Sequence, residues 1–168
     1  MGIQIDELAT SVHGQILTAG QPGYEEARAL WNGMIDKRPG AIVQCSGVAD
    51  VIATVNFARE QNLPLAIKAG GHNVSGKAMC DDGIVIDLSP LNNVRIDPEA
   101  RRARAGAGAK WAAFDHEAQA FGLTTTGGVV SSTGVAGLTL GGGIGYLTRT
   151  FGLACDNQGQ RSARRFGA

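Results

Sequence analysis

Apolar residues recur at helical spacing in the first clearly patterned stretch of the chain, residues 24–36. Side chains three or four positions apart share one face of a helix, so this stretch predicts an amphipathic helix. Pro39 and Gly40 then interrupt the pattern. The predicted apolar face consists of Tyr24, Ala27, Leu30, Trp31 and Met34.

The next stretch predicts a strand, a helix and a second strand in direct succession. Residues 41–44 form a short apolar run typical of a strand, and Ser46 suits the N-cap of the helix after it. Asn62 and Pro64 end that helix, and residues 65–68 form the second strand. Such a βαβ unit predicts a small parallel sheet. The apolar face expected for the helix is Val48, Val51, Ile52, Val55 and Ala58.

The middle of the chain predicts three more strands and a helix. Residues 83–87 are an apolar strand, while residues 94–97 and 101–105 have the composition of a half-exposed hairpin. Residues 111–121 predict a helix, with Gly122 as its C-cap. The order of a βαβ unit, a hairpin, a helix and a glycine-rich segment predicts an α+β fold.

Composition and charge exclude several classes of function. The 168 residues are 43% apolar and 18% charged, as in a globular domain. Because 15 basic and 15 acidic residues balance, electrostatics does not favour nucleic acid or an anionic membrane as a partner. Apolar runs are too short to span a bilayer, and residues 1–10 do not resemble a secretion signal. We therefore expect a cytoplasmic protein without nucleic-acid or membrane partners.

Cysteine and histidine offer few candidates for chemistry. Cys45, Cys80 and Cys155 lie far apart without a CxxC motif, so neither a disulfide framework nor a metal site is expected. His13 and His116 lie in no recognisable motif. The remaining histidine, His72, lies between glycines and is the histidine we single out as a candidate for chemistry.

Glycine is the outlier of the composition. The chain has 25 glycines, about twice the usual share of roughly 7%, and many cluster between Gly127 and Gly145. Glycines grouped in this way occur where a backbone approaches a neighbour closely or takes positive φ.

Two phosphate-binding motifs can be tested against the first glycine loop. Residues 71–78 nearly match GxxxxGK[ST], but Ala78 lacks the hydroxyl that holds Mg²⁺, and a strand rather than a helix follows. A Rossmann GxGxxG is also missing, since Gly106-Ala-Gly108 stops at the second glycine. A glycine turn after a strand still presents successive N–H groups that suit a pyrophosphate.

The segment Lys68-Ala-Gly-Gly-His-Asn-Val-Ser-Gly76 resembles the first FAD loop of the vanillyl-alcohol-oxidase superfamily, in its berberine-bridge-enzyme-like branch. The resemblance implies that the loop amides hold the FAD pyrophosphate and that His72 bonds to the 8α-methyl carbon of the flavin. A neutral imidazole nitrogen is a competent nucleophile near pH 7.

The segment Thr126–Tyr146 resembles the second flavin-contacting segment of the same family, with the pattern GxxxxTGVxGLTLGGGxG. Val130 stands where plant relatives carry a second flavin-linked cysteine, so the resemblance implies a single covalent link through His72. The cofactor-binding residues implied by both segments are His72, Ala69, Gly70, Gly71, Asn73, Val74, Gly76, Gly128, Ser132, Thr133, Gly134, Gly137, Gly142 and Gly145.

The resemblance also implies how the chain is organised. It covers most of residues 20–157 and implies the N-terminal part of the two-subdomain, PCMH-type FAD-binding fold, with residues 1–157 as a partial domain. Residues 158–168 are expected to be an unrelated basic tail, left by a frameshift or truncation. A substrate domain is expected to be absent, so the sequence assigns no catalytic base.

The implied activity is that of an FAD-linked oxidoreductase, in which substrate hydride passes to flavin N5 and O₂ or another acceptor reoxidises the flavin. A small-molecule substrate is expected only where the missing domain is supplied. The alternative hypothesis is a non-catalytic fragment or interaction domain that does not bind flavin, because exposed apolar surface prevents stable folding or flavin capture.

Overall fold

The computed structural model describes residues 5–159. Its main sheet has four strands, in the spatial order β1 (Gln15–Leu17), β2 (Ala41–Gln44), β4 (Ile84–Asp87) and β3 (Leu65–Lys68). β2 and β3 both run parallel to β4, and β1 is antiparallel to β2. The predicted parallel sheet is confirmed, with β4 inserted between the two strands of the βαβ unit. β4 is buried along its whole length, as a central strand should be.

The two faces of the sheet pack against different elements because successive strand side chains point to opposite sides. On one face, Val43 and Ile84 pack with Leu8 of helix α1 (Ile5–Ala9) and Phe57 of helix α3 (Val48–Glu60). The opposite face holds a second cluster, formed by Leu17, Tyr24, Ala27, Ile42, Ala66, Met79 and Val85. α1 and β1 lie in the stretch for which the sequence predicted no element.

The first predicted helix is wrong in length. Helix α2 spans only Tyr24–Arg28, and Ala29 is extended with ψ 137°. The Arg28 side chain binds the carboxylates of Glu25 and Asp36 and the carbonyl of Lys37, so the chain folds back instead of continuing as a helix. Trp31 and Met34 are consequently exposed rather than on an apolar helix face.

The apolar face predicted for α3 is also wrong. Val48 and Ile52 are 66% and 43% exposed, and the buried face carries Asp50, Thr54, Phe57 and Ala58. Gly47, not Ser46, is the N-cap. Asp50 is buried because its carboxylate accepts hydrogen bonds from the backbone N–H groups of His13, Gly14 and Ser46 and from the Ser46 hydroxyl.

The predicted hairpin is confirmed as β5 (Val94–Asp97) and β6 (Arg102–Ala105), which pair antiparallel. Helix α4 (Trp111–Gln119) packs Trp111, Phe114 and Ala118 against the hairpin. The predicted C-cap is wrong by two residues: Ala120 is the C-cap, and Gly122 follows with φ +63°.

The glycine-rich segment contains one short helix, α5 (Val135–Leu140). It is followed by helix α6 (Thr148–Phe151) and a 3₁₀ turn at Ala154–Asn157. Large apolar side chains on the glycine-rich segment and on α6 are exposed, namely Val129, Val130, Leu140, Ile144, Tyr146 and Phe151. Within residues 5–159, no helix has the length and apolar character needed to cross a membrane. From residue 160 onward, the predicted basic tail lies outside the described residues.

Candidate functional site

A cavity of about 640 Å³ opens at the carboxyl ends of the parallel strands. Gln44, Lys68 and Asp87 are the last residues of β2, β3 and β4, and the strand register places them level with one another. All three line the cavity. Ligands of open parallel sheets bind at this edge, where loops leave neighbouring strands in different directions.

The first glycine loop leaves β3 and forms one wall of this cavity. Ala69, Gly70, Gly71 and His72 all line it. Gly71 is buried and has φ +71°, a conformation that favours glycine. Among the described residues, the backbone N–H groups of Gly70, Gly71 and His72 donate to no protein acceptor. Because Gly71 is buried, its N–H without a protein partner indicates a position where a ligand or water accepts.

The rest of the first loop shapes the turn rather than the cavity wall. The Asn73 side-chain oxygen accepts hydrogen bonds from the backbone N–H of Lys77 (2.9 Å) and the hydroxyl of Ser75 (2.8 Å). Val74 is 77% exposed. Gly76 has φ +71°, and a Cβ there would lie 2.8 Å from Ile35 Cδ1. The chain then enters β4 without a helix, in agreement with the rejection of a P-loop.

The second glycine segment meets the first loop directly. A Cβ built on Gly70 would lie 2.4 Å from the backbone N of Gly134, so the two backbones touch where only glycine fits. Two residues earlier, Ser132 Oγ lies 3.2 Å from His72 Nε2. This contact joins residues sixty positions apart and brings a hydroxyl within hydrogen-bonding distance of the candidate nucleophile.

The other predicted site residues do not line the cavity. Thr133 and Gly134 belong to the stretch bridged to Lys110, where Trp111 N–H donates to Thr133 O. Gly128 packs against Leu138 and Trp111. The remaining three glycines lie further along the segment: Gly137 in α5, Gly142 with φ +106°, and Gly145 against the carbonyl of Gly127. Their assignment as cofactor-binding residues stays a prediction.

Several polar, charged and aromatic residues of the site were missed by sequence reasoning. Lys68, Asp87 and Gln44 could have been found as a group, because they end strands that the sequence predicted to be parallel. Trp31 had no such signal: it was placed on a helix face, whereas its ring stacks on the imidazole of His72 with centroids 4.7 Å apart.

Four charged side chains face this cavity, namely Glu26, Lys68, Asp87 and Lys110. Burial lowers the pKa of the Lys68 ammonium, the Asp87 carboxylate opposes this shift, and Lys110 adds to it. The ammonium also donates to the carbonyl of Ala27. A bound anion would stabilise the charged form of Lys68. No group of three or more His, Cys, Asp or Glu side chains in the described part of the chain is placed to hold a metal ion.

The fold and the site define a nucleotide-binding domain built from two glycine segments. Residues 39–160 match the FAD binding domain family, and the chain belongs to this family. Its expected α+β, PCMH-type fold is confirmed by similarity to known structures of that class.

The relatives are FAD-linked oxidoreductases. The chain is 37% identical over 153 residues to (R)-6-hydroxynicotine oxidase of Paenarthrobacter nicotinovorans, covering 90% of this chain and 33% of that protein. It is 36% identical over 148 residues to an FAD-linked oxidoreductase of Bacillus subtilis, covering 88% of this chain and 33% of that protein. The chain therefore spans about one third of the length of the relatives it matches.

Similarity to solved structures supports the same family assignment. The crystal structure of 6-hydroxy-D-nicotine oxidase from Arthrobacter nicotinovorans superposes with a TM-score of 0.85 at 37% identity, covering 88% of this chain and 32% of that one. A variant of a berberine-bridge-enzyme-like protein from Physcomitrella patens superposes with a TM-score of 0.85 at 27% identity, covering 94% and 34%. The resemblance noted from the two glycine segments is thus confirmed.

Proposed function

We propose that this chain is the FAD-binding part of an FAD-linked oxidoreductase and that FAD binds in the cavity at the carboxyl edge of the sheet. The observation that carries the proposal is the meeting of the two glycine segments at Gly70 and Gly134, with His72 at the cavity wall. FAD, when bound, supplies a ring that accepts hydride from a small-molecule substrate.

The residues of the cavity fit a dinucleotide. Its volume of about 640 Å³ is within the usual range of roughly 300–1,000 Å³ for ligand sites. The unpaired N–H groups of Gly70, Gly71 and His72 are donors for a pyrophosphate, and glycine lets the ligand approach the backbone closely. Lys68 and Lys110 add positive charge near these donors, although the lining residues Glu26 and Asp87 balance this charge, with Asp87 beside Lys68 in the sheet.

The proposal includes one covalent bond, between an imidazole nitrogen of His72 and the 8α-methyl carbon of the flavin. The bond replaces one methyl C–H and the imidazole N–H, and the two hydrogens with their two electrons pass finally to O₂. Ser132 supports this role because its hydroxyl contacts Nε2 and so orients the ring. Since relatives are about three times longer than this chain, substrate and catalytic base are not assigned to residues here.

Acid denaturation after incubation with FAD in air tests the proposal. Flavin fluorescence should stay with the precipitated wild-type chain and be lost from His72→Ala, which should still bind FAD reversibly. His116→Ala is the matched control, because His116 is exposed on α4 outside the cavity lining and should leave the bond intact. Flavin that washes out of the wild-type chain would contradict the covalent bond.

The second candidate function is an interaction domain or non-catalytic fragment without flavin. The observation that favours it is the exposed apolar surface of the second segment, where Leu140, Ile144 and Tyr146 are 71%, 74% and 88% exposed. Exposed apolar surface on this scale promotes association. Soluble chain that takes up no FAD, even reversibly, would favour this candidate over the first.

A cytoplasmic location is also proposed. It is supported by Cys45, Cys80 and Cys155, which are all free thiols in the structure, as expected in a reducing compartment. Cell fractionation tests it, and recovery of the protein outside the cytoplasm would contradict it.

A further inference from the structure

Residues 30–32 lie alongside the first glycine loop in space, although both segments are irregular. Leu30 Cδ2 would lie 3.8 Å from a Cβ on Gly71, and Trp31 N–H donates to Gly71 O at 3.1 Å. One residue further on, the Asn32 side-chain amide donates to Val74 O at 3.0 Å. These contacts fix the position of Trp31 relative to the loop on both sides of His72.

The Trp31 ring stacks on the His72 imidazole. The two ring centroids are 4.7 Å apart, and the planes are inclined by 14°. Trp31 is nevertheless 68% exposed, so the ring contributes little to the core. A large aromatic side chain that stays exposed while covering one face of a candidate nucleophile indicates a role at the site rather than in folding.

Two contacts of different kinds therefore restrain the imidazole. The Trp31 ring fixes the plane of the imidazole, and Ser132 Oγ, 3.2 Å from Nε2, fixes its rotation in that plane. A nucleophile held in one orientation reacts faster than one that must first be ordered, because that ordering no longer opposes the reaction.

We propose that Trp31 is a positioning residue that holds the His72 imidazole in the orientation in which it bonds to the flavin. The inference rests on the proposed covalent attachment at His72 and adds a residue to it. Trp31 contacts the nucleophile and not the reacting carbon, so its removal should slow bond formation without removing FAD binding.

The test compares the wild-type chain with Trp31→Ala, Trp31→Phe and Phe121→Ala. Phe121 is the matched control, because it is an aromatic residue, 50% exposed, that does not line the cavity. Flavin-free chains are mixed with FAD at several concentrations in air, and acid-stable flavin is followed over time. The rate at saturating FAD reports the bond-forming step, and the half-saturating FAD concentration reports reversible binding.

In Trp31→Ala, the saturating rate should fall about 3- to 10-fold, the range that ordering one flexible side chain produces. The half-saturating FAD concentration should not change. Trp31→Phe should restore most of the rate because an aromatic ring still stacks, and Phe121→Ala should match wild type. In flavin-free chains, NMR should show His72 ring protons shifted upfield by the indole current, a shift lost in Trp31→Ala.

An unchanged saturating rate in Trp31→Ala would overturn the inference. So would a change confined to half-saturation, since the ring would then act by binding FAD. Wild-type chain that never forms acid-stable flavin would instead contradict the proposed covalent bond, and the inference would fall with it. The His72 ring shift in the flavin-free chain separates that failure from a stack that does not form.

Discussion

Gly70 and Gly134 are in backbone contact: a Cβ on Gly70 would lie 2.4 Å from the backbone N of Gly134. This contact joins the loop after β3 to the glycine segment after α4, two parts of the chain that share no strand pairing. It also sets the distance between His72 and Ser132, which follow and precede the contact by two residues. The packing of the two glycines thus determines the geometry of the proposed flavin site.

Gly70→Ala should destabilise the fold, because the added methyl group forces the two backbones apart. Overpacking of this kind costs about 1–3 kcal/mol. Gly137→Ala is the control: a Cβ there meets nothing within 4 Å, and the helical position favours alanine by about 0.5–1 kcal/mol. Urea unfolding of both variants measures the difference. Equal effects on the two variants would contradict the contact.

Lys68→Met should weaken FAD binding about 10-fold, because the cavity loses its most buried ammonium group and charge-assisted hydrogen bonds contribute about 1.5–3 kcal/mol. The His72→Ala background keeps binding reversible, so quenching of FAD fluorescence gives the dissociation constant. Lys77→Met, at an exposed lysine outside the cavity lining, is the control. The same affinity in both variants would mean that Lys68 does not face the pyrophosphate.

Asp50 should make the fold sensitive to acid. Burial raises the pKa of its carboxyl, but hydrogen bonds from His13, Ser46 and Gly14 outweigh burial and lower the pKa from 3.8 to about 2. Since the folded pKa lies below the usual value, the carboxylate stabilises the fold above about pH 4. This contribution, about 2 kcal/mol, is lost as the pH falls towards 2.

The Asp50→Asn variant measures this contribution. Its free energy of unfolding at pH 7 should fall by about 1–3 kcal/mol, because the amide leaves buried donors without an acceptor. The loss of stability between pH 4 and pH 2 should also become shallower. Asp6→Asn, at an exposed position on α1, should keep the wild-type acid profile. An unchanged acid profile in Asp50→Asn would contradict the assignment.

The sequence predicted the regular elements best in the short apolar runs that form the parallel strands of the main sheet. The strands β2, β3 and β4 were predicted within a residue of their bounds, because continuous apolar runs bounded by glycine or proline have few other solutions. The insertion of β4 between β2 and β3 could not be predicted, since all three runs suit the centre of a sheet.

Hydrophobic periodicity gave wrong predictions where polar hydrogen bonds or contacts within the site determine the local structure. In α3, the hydrogen bonds of Asp50 turn a carboxylate inward and leave Val48 exposed. Beyond Arg28, the apolar residues that suggested a longer helix face the glycine loop or solvent, as Trp31 does on His72. Contacts between segments sixty residues apart leave no trace in local spacing, so the loops could be predicted but not how they meet.

Peptide mapping by mass spectrometry tests the central claim most directly. Trypsin cleaves after Lys68 and Lys77, so His72 lies in the peptide spanning residues 69–77. After incubation of the full chain with FAD in air, this peptide should carry the flavin, with fragmentation placing it on His72. The same peptide recovered unmodified, with flavin released by acid or attached to another residue, would contradict the claim that His72 bonds to FAD.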